Sequence, residues 1–138
     1  MKKALLWLAL LCTAQVSQAT TPYFQASKLP PADLATQVAQ VERKLQAEGF
    51  TVIGRHLPKG LPAHASVVVT DPAMLDAIKA IGGPGIIAAG IRVGVKADGT
   101  VSHMNPDYWY RAYLRGQFKT AQAPAKAVQM RLAKALGD

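Results

Sequence analysis

Cysteine is all but missing from this 138-residue chain, with Cys12 its single instance. Histidine is scarce at three residues, and eight Asp and Glu stand against sixteen Lys and Arg. Each shortage excludes something. Beyond residue 19 there is no thiol, which removes disulfides, thiolate nucleophiles and cysteine metal ligands. Serine there is limited to Ser27, Ser66 and Ser102, and none sits in a nucleophile-elbow pattern. Phosphate-cradling loops, H-x-x-H or H-E-x-x-H spacings and paired catalytic carboxylates are also missing. No apolar run approaches the roughly 20 residues that cross a bilayer, so no permanent transmembrane segment is expected. No nucleic-acid motif is present, and no nucleic acid is expected as a partner.

What is present begins with the first nineteen residues. Lys2 and Lys3 precede an apolar run, residues 4–12, with five leucines and Trp7. A polar stretch then leads to Ala19, with the small Ser17 two positions earlier. This is the pattern of a cleavable signal peptide, residues 1–19, which makes the working protein periplasmic or secreted. A lipidated cysteine needs a small residue before it, and Leu11 precedes Cys12, so Cys12 belongs to the leader. After it come a proline-broken lead-in, residues 20–32, and a single domain, residues 33–138. That part carries fourteen Lys and Arg against eight Asp and Glu, a charge of +6. Six of the fourteen follow Tyr108, opposed there only by Asp138. A basic surface of this kind suits a small anion, an acidic protein, or peripheral contact with an anionic membrane.

Periodicity places the elements. Leu34, Val38, Val41 and Leu45 form one stripe of a helix over 33–48, stopped by Gly49. Strands are expected over 50–57 and 66–70, the second a β-branched run covered on both faces. Asp71-Pro72 opens a helix with Met74, Leu75, Ile78 and Ile81 on its buried side, ending at Gly82-Gly83-Pro84-Gly85. A third strand over 86–96 turns at Asp98-Gly99 into a fourth over 100–104. Asn105-Pro106 opens an aromatic helix, and residues 124–136 form the last one. The order α-β-β-α-β-β-α-α contains a βαβ unit, which predicts parallel pairing of the second and third strands. The expected fold is therefore α+β, a mixed four-stranded sheet with helices packed on it.

That topology brings His56, His64 and His103, with Met104 and the glycine-rich loop, to one sheet edge. Imidazole and thioether suit copper, and imidazole alone suits zinc. Strands lie about 4.8 Å apart, however, so ends three strands away are too distant to share one ion. No metal is therefore assigned, and His56, His64, His103 and Met104 are the candidate ligands for one. On the aromatic helix, Trp109, Tyr110, Tyr113, Leu114 and Phe118 cover one arc, read as core. Tyr108, Arg111 and Arg115 share the opposite face, where two guanidiniums could take a carboxylate or phosphate. Asp71 and Asn105 each precede a proline at a helix start, as capping requires. Arg92 is the charge expected within the sheet, and burial would demand a partner for it. The ligand-binding candidates are Arg92, His103, Asn105, Tyr108, Arg111 and Arg115.

Gly49-Phe50, Val68-Val69-Thr70-Asp71-Pro72, Ile91-Arg92-Val93 and Met104-Asn105-Pro106-Asp107-Tyr108-Trp109 together resemble an uncharacterised family of exported proteobacterial proteins. That family is similar to a broad domain-of-unknown-function family with a small α+β fold. The resemblance spans residues 23–136 and implies no activity, cofactor or catalytic residue. It does imply relatives that continue past the last helix, which would make a chain stopping at Asp138 a shortened form. Two functional readings follow. The absence of a catalytic constellation favours a non-enzymatic binding or interaction module. The alternative is a small enzyme with His103 or His56 as general base and Arg92 or Arg111 holding an anionic substrate. Copper or zinc binding is a further alternative.

Overall fold

The computed structural model describes residues 20–137, and the expected leader, residues 1–19, lies outside them. Five strands and four α-helices follow in the order β1 (Tyr23–Gln25), α1 (Leu34–Ala47), β2 (Thr51–His56), β3 (His64–Thr70), α2 (Pro72–Ile81), β4 (Ile91–Lys96), β5 (Val101–Met104), α3 (Pro106–Leu114) and α4 (Phe118–Leu136). A 3-10 helix, Gly83–Ala89, joins α2 to β4, and a shorter one, Arg115–Gln117, joins α3 to α4. The helix starts obey their caps. Asp33, Asp71 and Asn105 each accept a hydrogen bond from a first-turn backbone N–H, of Thr36, Met74 and Asp107 respectively.

The sheet departs from expectation in three ways. It has five strands, not four, because Tyr23–Gln25 of the lead-in pairs with β5. Its order is β1-β5-β4-β3-β2. Every pairing is antiparallel, including β3 with β4, where Val67 faces Val93 and His64 faces Lys96. The reason lies in α2. Its inward residues Met74 and Ile78 are buried, and the helix packs against α4 instead of crossing the sheet. The connection thus leaves and re-enters at the same end of the sheet, so β4 must run back along β3. Two boundaries also move: residues 83–89 form the 3-10 helix instead of extending β4, and α4 begins at Phe118 and runs through Pro124.

Burial alternates along the strands, so β3 is covered on one face only. Ala65, Val67, Val69, Ile91, Val93, Val95 and Val101 point into the core. Helix α1 lies over β2, β3 and β4, and α4 packs against α1, α2 and α3. No helix among the described residues is long and apolar enough to cross a membrane. One hairpin position is fixed by contact: at Gly99 (φ +87°) a Cβ would fall 1.9 Å from the Leu29 carbonyl oxygen, so the turn and the lead-in are locked together.

One ion pair ties the layers. Asp71, 2% exposed, pairs through Oδ2 with the Arg131 guanidinium of α4. Arg131 also donates to the Glu48 carbonyl at 3.2 Å and lies over the Phe50 ring at 5.0 Å. Replacing Arg131 with Met strands the Asp71 carboxylate in the interior. The expected cost is about 3 kcal/mol of unfolding free energy, read by urea denaturation, because a buried charge that loses its partner keeps its desolvation penalty. A loss under about 0.5 kcal/mol would show the pair to be ordinary surface electrostatics.

Candidate functional site

Antiparallel register disperses the histidines. His56 faces Ser66 across β2–β3 and His64 faces Lys96 across β3–β4, both on the open side of the sheet. His103 faces Val93 on the core side, 1% exposed, with its Nδ1 2.9 Å from the Met104 carbonyl oxygen and its ring 5.7 Å from that of Phe24. The shared histidine edge expected from a parallel β3–β4 pair is therefore corrected: His103 sits on the opposite face from the other two. Among the described residues no group of three or more His, Cys, Asp or Glu could hold a metal ion. Met104 is buried, and its sulfur accepts the Arg92 backbone N–H at 3.2 Å. Arg92 itself projects from the open face and is exposed, so it needs no buried partner.

The aromatic helix divides its rings in two. Tyr110, Leu114 and Phe118, four residues apart, enter the core. Burial, with Asp71 nearby, holds the Tyr110 hydroxyl well above the usual tyrosine range. Trp109 and Tyr113, expected on the same buried arc, are only half-buried. Trp109 faces the lead-in instead, and Tyr113 packs between it and a cleft at the end of α2. Trp109 Nε1 donates to the Pro22 carbonyl at 2.8 Å, and its ring lies 5.8 Å from Tyr23, 5.2 Å from Tyr108 and 5.4 Å from Tyr113. Asn105 joins this clamp, donating from Nδ2 to the Thr21 carbonyl at 2.7 Å. Asn105 is thus a cap and a strap for β1.

The arginines on the other face of α3 do not act together. Arg111 bonds Asp107 at 2.8 Å and lies 4.2 Å over the Phe118 ring, and the Asp107 carboxylate raises its pKa. Arg115 ends the helix with φ +48° and ψ −121°, the one non-glycine residue at positive φ among those described. It is exposed and forms no ion pair among the described residues. Its position is at the mouth of a cleft of about 530 Å³, walled by Ile81, Gly83, Pro84, Tyr113 and Leu114. Both walls come from helix endings: the Gly82–Gly85 turn after α2 and the α3 terminus. The fold thereby brings the glycine-rich turn and Arg115 together, and leaves Tyr108 and Arg111 outside the cleft.

A second groove, about 510 Å³, runs between α1 and the edge strand β2, lined by Leu34, Val38, Leu57 and Pro62 beside the Glu42–Arg55 ion pair. Arg55 grips Glu42 with two nitrogens, one of them at 2.6 Å. Neither cavity is lined by a histidine.

No family model matches this chain, and no curated protein does. A solved structure does. The crystal structure of the uncharacterised conserved protein DUF302 from Bacillus stearothermophilus superposes with a TM-score of 0.58 at 15% identity, covering 85% of this chain and 97% of that one. At that identity the likeness is one of fold, a small α+β domain.

Sequence reasoning missed the α1–β2 groove, because Glu42 and Arg55 are thirteen residues apart on different elements and no local pattern joins them. The glycine-rich turn and Arg115 are each visible in the sequence, but their meeting depends on where α2 and α3 end. The ion pair has a pH signature. The Arg55 hydrogen bonds hold the Glu42 carboxyl below its ordinary 4.5. A lowered folded-state pKa contributes stability that is fully present above the unfolded value and is lost as pH falls through the folded value. Wild-type melting temperature should therefore drop more steeply than that of Glu42→Gln as pH is lowered below about 4.5. Parallel melting curves for the two proteins over that window would show that the pair contributes nothing.

Proposed function

We propose that the chain is an exported, non-enzymatic binding module, and that the cleft between the α2 and α3 termini takes a small ligand bearing a carboxylate or phosphate. The observation that carries this reading is Arg115. An L-residue at φ +48°, ψ −121° occupies a conformation that glycine adopts freely, and holding it there costs on the order of 1 kcal/mol. Glycine would serve the helix end better, as it does at Gly82 and Gly137, the C-caps of α2 and α4. Keeping a strained arginine instead places an exposed guanidinium on an apolar cleft beside Tyr113. That combination suits a ligand with one anionic end and one apolar or aromatic part. Arg111, engaged by Asp107, contributes positive potential from outside. Arg92, His103, Asn105 and Tyr108 do not reach this cleft's lining, so Arg115 is the ligand contact among the six candidates.

Export rests on the leader pattern of residues 1–19, and it suits a domain that is thiol-free beyond residue 19. Trp109 is the only tryptophan after residue 19 and stacks on Tyr113 of the cleft wall, so its fluorescence reports on the site. Titration of the chain from Thr20 with inorganic phosphate and with aromatic carboxylates should change that fluorescence saturably. Arg115→Gly should raise the melting temperature by about 3 °C, through relief of strain, while weakening binding by about tenfold or more, the loss of one charge-assisted hydrogen bond. Undiminished binding in Arg115→Gly would overturn the assignment, whatever its stability.

A further inference from the structure

Next to the cleft, the 3-10 helix Gly83–Ala89 exposes two adjacent isoleucines, Ile86 at 58% and Ile87 at 65%. Local geometry makes this unavoidable. Gly85 and Ala88, three apart, are both buried and so face inward together. Gly85 is seated so closely that a Cβ there would lie 3.4 Å from both Ile81 and Leu114. The pair between those two anchors is pushed outward. Two adjacent β-branched side chains in water form a small apolar patch that an apolar partner would cover.

The charge beside them is positive. Arg92, five residues past Ile87, and Arg115 and Lys119 at the junction of α3 and α4 are exposed and form no ion pair among the described residues. Lys79, in the last turn of α2, has only the exposed Asp76 at 3.9 Å. Two aliphatic side chains offer far less area than a stable protein interface requires, whereas an exposed apolar pair accompanied by cations without acid partners matches the boundary of an anionic bilayer.

We propose that this end of the domain docks on an anionic lipid surface, with Ile86 and Ile87 entering the acyl boundary and Arg115 meeting a headgroup phosphate. The inference deepens the reading of the Arg115 cleft and rests on it only for the role of Arg115. It differs from attraction of a basic tail alone, because binding then requires the two isoleucines as well as charge.

The test uses the chain from Thr20, whose described buried side chains all lie between Ala26 and Leu136. Vesicles of phosphatidylcholine alone are compared with vesicles containing equal amounts of phosphatidylglycerol. The expected result is co-sedimentation with the anionic vesicles only, weakened by about tenfold or more in Ile86→Asp/Ile87→Asp and less in the double alanine variant. Since residues 20–138 lack cysteine, Ile87→Cys with an environment-sensitive label should shift to the blue on those vesicles, and Met130→Cys on α4 should not. Equal binding by wild type and the Asp variant overturns the proposal. So does a dimer that the Asp variant dissolves, without vesicle binding, since a second copy would then cover the isoleucines. If vesicles fail to bind while phosphate still binds through Arg115, the lipid inference falls and the anion cleft stands. If the isoleucines govern vesicle binding while Arg115→Gly changes neither phosphate nor vesicle binding, the docking face stands and the anion cleft falls.

Discussion

A single guanidinium holds the architecture in register. Arg131, on the helix that touches every other helix, binds Asp71 where β3 becomes α2, reaches the carbonyl that ends α1, and covers Phe50 at the start of β2. Asp71 in turn caps α2 through Met74 N–H at 2.8 Å. One charge pair therefore sets where α1 stops, where α2 starts and how α4 lies across both. Burying such a pair is justified only if each partner's remaining hydrogen-bonding capacity is met. Here the Met74 N–H serves Asp71 and the Glu48 carbonyl serves Arg131, whose guanidinium also lies over the Phe50 ring and is partly open to solvent. The α2 wall of the cleft inherits its placement from this junction, while the α3 wall is set by packing on α4 and on the 3-10 helix.

The parts legible in the sequence were those governed by local chemistry. Asp71-Pro72 and Asn105-Pro106 cap helices because a short acceptor followed by a fixed φ is a local solution to unsatisfied N–H groups. Asp98-Gly99 turns the chain because of contacts within four residues, with Thr100 N–H donating to Asp98 at 2.9 Å. Strand direction was not local. A helix between two strands reads as a crossover, yet Met74 and Ile78 turn toward α4, and nothing in their spacing says which apolar surface will receive them. The three-residue strand Tyr23–Gln25 was equally hidden, since it is held by Asn105 and Trp109 from more than eighty residues away.

The same distinction explains the candidate site. His103, Asn105 and Arg111 are chemically versatile side chains whose described contacts are structural: a core wall, a strap and a helix-surface pair. Arg115 shares their sequence neighbourhood but is set apart by its backbone. A local pattern can nominate the residue type, while only the φ value reveals that the fold tolerates strain to keep it.

The distribution of acids carries the argument further. Asp33 caps α1, Glu42 grips Arg55, Glu48 meets Lys134 at 3.0 Å, Asp71 holds Arg131, Asp76 attends Lys79, Asp98 shapes the turn beside Lys96, and Asp107 holds Arg111. Every described carboxylate thus has an architectural task, and none is left over to balance the remaining cations. The net charge of the domain is therefore not a diffuse property of composition. It is what remains once the acids have been assigned to caps, turns and pairs, and among the described residues Arg92, Arg115, Lys119 and Lys126 are cations left without an acid. Beside the Arg115 cleft that remainder stands next to exposed apolar surface, and there the chain also presents its strained arginine.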